Sequence, residues 1–112
     1  MSPTTYINVV QAQTPEPPAV TTELYCSCVS YVHFLEPKAP FIDAKWYKDF
    51  PKATPAVGRI AVFNYNEVYH VALITNLGTS TFKVKEANFV KCSKGERDVD
   101  YNDPRLIGFF AP

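Results

Sequence analysis

The chain has 112 residues and a mass of 12.6 kDa, which leaves room for one domain and excludes a multidomain enzyme. Eleven Lys and Arg residues balance eleven Asp and Glu residues, so the excess positive charge that favours nucleic acid or anionic membranes is missing. No apolar run approaches the roughly 20 residues that span a bilayer, and the N-terminus lacks the pattern of a secretory signal. We therefore expect one folded domain without a nucleic acid partner, a membrane span or an export signal.

The first part of the chain is rich in proline and threonine. Four of the ten prolines fall within the first 18 residues, and no hydrophobic periodicity is sustained there. Such a composition is typical of extended tails and linkers. We predict that residues 1–22 form a proline-rich tail or linker and that residues 23–112 form the folded domain.

Two helices are predicted ahead of any core strand. Ser27 is a suitable N-cap, apolar residues follow at helical spacing and a proline ends the pattern, which predicts a helix beginning at Cys28. A second short helix is predicted over residues 43–50, with Trp46 and Phe50 on one face. The first of these helices places Cys28 in its first turn.

Strand patterns dominate the second half of the chain, where β-branched and aromatic residues lie between turn signals. Helices that come before the strands, rather than alternating with them, predict an α+β fold. We expect N-terminal helices packed on an antiparallel β-sheet of about four to six strands. The four clearest strand segments are RIAVFNY, YHVALITN, STFKVKEAN and RLIGFF.

Two of these segments form a predicted hairpin that brings a histidine to a carboxylate. A three-residue loop at residues 77–79 would place Ala72 opposite Val84 and His70 opposite Glu86, all on one face. Directly opposed side chains have Cβ atoms about 4.5–5.5 Å apart, which lets an imidazole donate to a carboxylate.

Asn88 continues the same stripe, so three polar residues, His70, Glu86 and Asn88, meet at the open end of an otherwise apolar face. Either the sheet simply ends there in a solvated polar rim, or these side chains belong to a functional site. A slip of one residue in the register would move one strand's set to the other face and remove the arrangement.

The three cysteines allow several interpretations. Cys26 and Cys28 are too close in sequence for a relaxed mutual bridge, so we expect no disulfide scaffold and consider each thiol by itself. Cys28 is either a buried small hydrophobe or a nucleophile, and Cys26 is a rival nucleophile. The pair could also be a redox couple or, with His33 and Cys92, part of a metal site, although the spacing matches no strong zinc pattern. Otherwise His33 is expected to be a surface or packing residue, and Cys92 is not expected to be catalytic.

Three acidic residues near the C-terminus, Asp98, Asp100 and Asp103, could suggest calcium. They lack the glycine and the terminal glutamate of an EF-hand loop. We predict that they lie in a solvated loop. No metal or other cofactor is predicted from the sequence.

Cys28 and His70 together would form a nucleophilic pair. A thiol attacks as its thiolate, which a helix N-terminus and a neighbouring imidazolium both stabilise. His70 would pair with the thiolate and later protonate the leaving amine, while Glu86 would fix the tautomer and orientation of the ring. The backbone N–H of Cys28 would be available to an oxyanion.

In their order along the chain, these residues resemble the CHAP family, the cysteine- and histidine-dependent amidohydrolases and peptidases of the papain-like superfamily. The resemblance covers residues 25–110. It rests on a cysteine followed three places later by an aromatic residue, a Pro-Gly entry into the first core strand, a histidine strand, a Glu-x-Asn strand and a closing strand. The matching segments are 28–32, 55–63, 70–74, 86–88 and 107–110.

Two positions depart from the family's pattern. Arg59 stands where the family often has an acidic residue, and Tyr69 stands where it often has a glycine before the histidine. Tyr69 is expected to narrow or reshape the cleft, which would affect the choice of substrate more than catalysis itself.

The resemblance implies a papain-like CHAP fold with Cys28 as nucleophile, His70 as base and acid, Glu86 as the orienting group and Asn88 as an auxiliary polar group. It implies hydrolysis of amide bonds in the peptide part of bacterial peptidoglycan, by an endopeptidase or by an N-acetylmuramoyl-L-alanine amidase. A phage-encoded lysin or virion-associated enzyme is expected, held in the host cytoplasm or the virion before it acts on the cell wall. Virion or other phage proteins would then be partners of the tail. The alternative is a non-catalytic binding or structural module with the same fold.

Overall fold

The computed structural model describes residues 22–112, so the predicted tail lies outside the described residues except for its last position. In this part of the chain, three short helices precede a six-stranded sheet, and none of these helices is long and apolar enough to cross a membrane. The helices are the 3-10 helix Thr22–Cys26, the α-helix α1 (Cys28–Leu35) and the 3-10 helix Ala44–Asp49. The strands are β1 (Lys52–Ala53), β2 (Ile60–Tyr65), β3 (Val68–Leu77), β4 (Thr81–Ala87), β5 (Lys94–Asp100) and β6 (Leu106–Phe110).

Helix α1 starts where the sequence signals predict. The Ser27 side-chain oxygen accepts a hydrogen bond from the Ser30 N–H at 3.1 Å, which satisfies one of the N–H groups at the helix start. At the other end, the Glu36 N–H donates to the Val32 carbonyl oxygen at 2.8 Å, just ahead of a proline. The prediction of a helix beginning at Cys28 is confirmed.

Replacing Ser27 with alanine removes this cap and is expected to lower the free energy of unfolding by about 1 kcal/mol. The matched control is Ser30→Ala, which removes a hydroxyl from the same turn but keeps the backbone N–H that Ser27 caps. We expect the control to change the free energy of unfolding by less than about 0.5 kcal/mol. Chemical denaturation of both variants measures the difference, and equal losses would contradict a capping role for Ser27.

The second predicted helix is present but is wound as a 3-10 helix. With three residues per turn, positions i and i+3 share a face, and Tyr47 and Phe50 accordingly have ring centroids 6.2 Å apart. Tyr47 is buried and donates to the Pro40 carbonyl oxygen at 2.5 Å, whereas Trp46 is 52% exposed. Burial first, and then the charge of Cys28, raises the pKa of Tyr47 to about 12, so its hydroxyl remains a donor. The predicted pairing of Trp46 with Phe50 on one face is wrong.

The sheet is antiparallel throughout, with the strand order β1-β6-β2-β3-β4-β5. The four predicted strand segments correspond to β2, β3, β4 and β6, which confirms the α+β class. Strands β1 and β5 were not predicted. Strand β5 contains Asp98 and Asp100, so their assignment to a solvated loop is wrong. Strand β5 lacks an alternating apolar pattern because it lies at the edge of the sheet, where most of its charged side chains remain in water.

Successive residues of β2 and β3 point alternately into two apolar clusters. One cluster lies against α1 and includes Val32 and Val71. The other includes Ala72 and Phe82, and Leu106 and Phe109 of the last strand pack against it. His70 has the same parity as Ala72, so it lies at the end of the second cluster. Helix α1 contacts both β3 and β4, and Cys28 in its first turn lies near enough to His70 to affect the pKa of the ring.

Candidate active site

Cys28 is a free, half-buried cysteine in the first turn of α1, beside an open cleft of about 490 Å³. Residues 41–44 and Asn88 also line this cleft, and Phe41 is 67% exposed. The N–H groups of Cys28 and Val29 have no acceptor within the helix, because the first turn of any helix lacks such acceptors. The cleft therefore offers a sulfur atom and backbone donors to the same ligand.

Cys26 and Cys92 form a disulfide, which contradicts the expectation that the chain has no bridge. That expectation considered the short spacing between Cys26 and Cys28, whereas the bridge joins residues 66 positions apart. A bridged Cys26 is neither a rival nucleophile nor the partner of Cys28 in a dithiol couple. Among residues 22–112, no group of three or more ligand side chains could hold a metal ion.

The disulfide connects two segments of the site. Cys26 lies two residues before the first residue of α1, and Cys92 lies in the connection between β4 and β5. The same connection carries Phe89, whose ring centroid is 5.9 Å from that of His70. The bridge thus holds the start of α1 beside the loop that packs on His70.

The hairpin of β3 and β4 has a register different from the predicted one. Val84, predicted opposite Ala72, lies opposite Ile74 instead, which is a shift of two residues. The loop is longer than predicted, because Leu77 and Phe82 form the pair that closes it. A bulge at Thr75 then reduces the register shift caused by the longer loop by one residue. Because side chains alternate with period two, a shift of two leaves each residue on its predicted face.

His70 and Glu86 are hydrogen-bonded although they are not directly opposite. Nε2 of His70 is 2.8 Å from Oε1 of Glu86, and the two side chains are only 8% and 4% exposed. The Cys28 thiol lies near enough to the His70 ring to raise the pKa of the imidazole. Since Nε2 is directed at Glu86, Nδ1 is the ring nitrogen left for the sulfur. We call this arrangement of a thiol, an imidazole and a carboxylate the Cys28–His70–Glu86 series.

The contacts favour a protonated His70 and an ionised Glu86. Burial lowers the pKa of His70, but hydrogen bonds to Cys28 and Glu86 and the charges of these groups outweigh it, so the pKa lies above its usual value. Burial raises the pKa of Glu86, but hydrogen bonds from His70 and Arg97 and their charges bring it below its usual value. The site is therefore suited to hold an imidazolium against a carboxylate.

Arg97 on β5 also contacts Glu86 and was not identified from the sequence. Its Nε donates to Oε2 of Glu86, and its Nη2 donates to the Tyr65 hydroxyl at 2.8 Å. The guanidinium carbon lies 4.0 Å from the ring centroid of Phe89 and 5.1 Å from that of Phe63. The contact of Arg97 with Glu86 was not predicted from the sequence, because β5 was not predicted to be a strand.

Asn88, predicted to be an auxiliary polar group, lies just beyond β4 in a left-handed conformation with φ of 62°. It is exposed and lines the Cys28 cleft. Its side-chain oxygen accepts a hydrogen bond from the Cys92 N–H at 2.8 Å, and its own N–H donates to the Ser93 carbonyl oxygen at 2.8 Å. The Asn88 side chain therefore stabilises the turn that carries the disulfide.

The two departures from the CHAP pattern lie away from the cleft beside Cys28. Tyr69 packs against the cluster under α1, and its hydroxyl accepts a hydrogen bond from Asn64 at 3.5 Å. Arg59 donates to the backbone and side-chain oxygens of Thr54 at 2.5 and 2.8 Å. Neither Tyr69 nor Arg59 lines the cleft, so the expected narrowing by Tyr69 is not found among the described residues.

His33, the other histidine, packs at the rim of the cleft. Its Nδ1 donates to the Ala39 carbonyl oxygen at 2.7 Å, and its ring stacks on Phe41 at 5.6 Å between centroids. This agrees with the expected packing role and distinguishes His33 from His70, which contacts the thiol.

No protein-family model matches the chain, and no curated protein matches it either. The site combines a thiol at a helix start, beside an open cleft, with a buried imidazole and a buried carboxylate.

Proposed function

We propose that the protein is a cysteine hydrolase that cleaves amide bonds in the peptide part of bacterial peptidoglycan. The observation that carries the proposal is the Cys28–His70–Glu86 series, in which a thiol that lines a cleft lies near a buried imidazole, and that imidazole is hydrogen-bonded to a carboxylate. This is the combination of nucleophile, base and orienting group that acyl transfer requires. A helix that begins with the nucleophile and packs on an antiparallel sheet also fits the proposed papain-like CHAP fold.

In the first half of the reaction, the Cys28 thiolate attacks the carbonyl carbon of the substrate amide. A sulfur–carbon bond forms, and the carbonyl electrons move to oxygen. The protonated His70 then gives its proton to the leaving nitrogen, the carbon–nitrogen bond breaks and an amine departs. The acyl group remains on Cys28 as a thioester.

In the second half, His70 is neutral and acts as a general base. It takes a proton from a water molecule, whose oxygen attacks the thioester carbonyl. The sulfur leaves as a thiolate, the carboxylic acid product is released and His70 is again protonated. Throughout the cycle, Glu86 accepts the hydrogen bond from Nε2 and so keeps Nδ1 directed at the sulfur.

The start of α1 supplies a place for the negative charge that develops on the carbonyl oxygen. The N–H groups of Cys28 and Val29 are available for this oxygen, since they lack acceptors within the helix. The partial positive charge at a helix N-terminus adds to their effect.

The choice of substrate rests on the resemblance to the CHAP family and on the open form of the cleft, which suits a polymer better than an enclosed pocket would. A phage-encoded lysin or virion-associated enzyme is the proposed source of such a domain. Turbidity loss of purified peptidoglycan measures the activity. Mass analysis of the released fragments separates an endopeptidase, which cuts within the peptide, from an amidase, which separates peptide from sugar. Binding to peptidoglycan without any released fragment would instead support a non-catalytic module.

Because Cys26 and Cys92 are bridged, alkylation of the cysteines directly tests whether Cys28 is an activated thiolate. With the bridge intact, we expect iodoacetamide near pH 6 to modify Cys28 and to leave Cys26 and Cys92 unmodified, because a disulfide sulfur is not alkylated. Peptide mapping by mass spectrometry identifies the modified positions. The matched control is the same protein unfolded in denaturant without reductant, in which Cys28 should react more slowly at that pH because its contact with His70 is lost. Equal rates in the folded and unfolded protein would contradict an activated thiolate.

A further inference from the structure

We propose that Arg97 is a positioning residue that keeps Glu86 as an ionised acceptor for the Nε2–H of His70 and so directs Nδ1 of the ring at Cys28. The inference rests on the proposed function for its catalytic consequence. The contact geometry on which it depends is independent of the substrate.

The strand register explains why Arg97 reaches Glu86. Gly95 on β5 lies opposite Glu86, and Val84 lies opposite Arg97. Arg97 is thus the diagonal neighbour of Glu86 on the same face of the sheet. Since Gly95 has no side chain, the position directly opposite Glu86 holds no group that could compete with the arginine.

Both oxygens of the Glu86 carboxylate are used, each by a different cation. Oε1 accepts from Nε2 of His70 at 2.8 Å, and Oε2 accepts from Nε of Arg97. A carboxylate that is only 4% exposed is strongly destabilised as an anion unless it is paired. Arg97 provides a permanent charge for this purpose, whereas His70 changes its charge during the proposed reaction.

Arg97 is itself held in place on three sides. The Tyr65 hydroxyl accepts from Nη2 at 2.8 Å, and the rings of Phe63 and Phe89 lie against the guanidinium. The side chain is 21% exposed, which is low for an arginine with a merely solvated role. A fixed guanidinium can set the orientation of the carboxylate as well as its charge.

The charged and titratable groups around Glu86 come from several elements. His70 on β3 and Arg97 on β5 contact Glu86 directly. Tyr65 on β2 contacts Arg97, and Cys28 on α1 lies near His70. Beyond Tyr65, Asp103 pairs with Arg105, whose guanidinium carbon is 5.1 Å from the Tyr65 ring centroid. Of these groups, Arg97 is the cation that contacts Glu86 and carries the same charge over the whole range in which His70 titrates.

The direction of the effect on pH dependence follows from charge. Removing the cation at Arg97 makes the His70–Glu86 pair bind protons more tightly, so the pKa of each of the two groups rises. A protonated Glu86 has no negative charge to hold the protonated His70 ring, and the active form is then lost at a higher pH than in the wild type. The acid limb of the rate profile should therefore move upward.

The test compares Arg97→Met with Arg105→Met. For Arg97→Met we expect the acid limb of kcat to move up by about one pH unit or more and kcat at its plateau to fall roughly 100-fold. Arg97→Lys keeps the charge, so it should return the acid limb to its wild-type position but recover only part of the plateau value of kcat. Arg105→Met removes an arginine that lies over the same tyrosine without touching Glu86, and should leave both unchanged. An unmoved acid limb in a folded Arg97→Met variant would overturn the proposal.

Two further measurements keep the test decisive. If Arg97→Met does not fold, Tyr65→Phe removes the hydroxyl that accepts from Nη2, and a smaller upward shift is expected; an unchanged limb would overturn the proposal. The His70 ring is also titrated by NMR without substrate, with His33 as an internal reference, and its midpoint should rise in Arg97→Met. A risen midpoint in a protein that releases no peptidoglycan fragment would support the role of Arg97 and refute the proposed function. An unmoved midpoint in an active enzyme would support the proposed function and refute the role of Arg97.

Discussion

Replacing Cys28 with alanine is expected to abolish peptidoglycan hydrolysis, with a fall in rate of roughly a thousandfold or more. The Cys28 sulfur is the atom that attacks the substrate in the proposed reaction, and no other free cysteine is present among residues 22–112. The loss of turbidity of purified peptidoglycan measures the rate. Circular dichroism and thermal unfolding show whether the variant is folded, which we expect because the change only shortens a half-buried side chain.

The two histidines provide a matched control for the same experiment. His70→Gln should cause a loss of similar size to that of Cys28→Ala, because nucleophile and base act as a unit. His33→Gln changes the same residue type at the rim of the cleft and should retain most of the activity. A rate for Cys28→Ala close to that of the wild type would refute the assignment of the nucleophile, as would equal losses for the two histidine variants.

Removing the disulfide is expected to lower the free energy of unfolding by about 4 kcal/mol, because the bridge closes a long loop in the unfolded chain. The variant to use is Cys26→Ser combined with Cys92→Ser, since a single replacement leaves a thiol that can pair wrongly with Cys28. We also expect slower hydrolysis, because the bridge holds the start of α1 beside the loop that packs on His70. Denaturant unfolding and turbidity loss measure the two effects.

A reductant provides the control for this prediction. Wild-type protein treated with a dithiol should lose stability to the same extent as the double variant, whereas the double variant should be unaffected by the same treatment. A wild-type midpoint that does not change on reduction would show that the bridge contributes little to the folded state. Unchanged hydrolysis after reduction would show that the site keeps its geometry without it.

The parts of the site that could be predicted are those encoded by local patterns. The N-cap at Ser27 and the apolar spacing after it place Cys28 at a helix start, and this depends on neighbouring residues alone. The contact between His70 and Glu86 depends on strand parity, which tolerated an error of two residues in the register. An error of one residue would have separated them.

The parts that could not be predicted depend on residues distant in sequence. The bridge between Cys26 and Cys92 is set by where the connection after β4 passes the start of α1, which the spacing of cysteines does not reveal. The role of Arg97 depends on β5, whose charged residues conceal its strand pattern. In each case the missing information is a tertiary contact rather than a local preference.

The exposed charges of β5 have a consequence for how copies of the protein meet one another. The two ends of the sheet are β1, which is only two residues long, and β5, in which acidic and basic residues are interspersed along the open side. A second molecule that tried to extend the sheet would find too short a template at one end, and at the other would have to strip water from several ions. We therefore expect that the folded domain in concentrated solution does not form fibrils by pairing at either edge strand, β1 or β5.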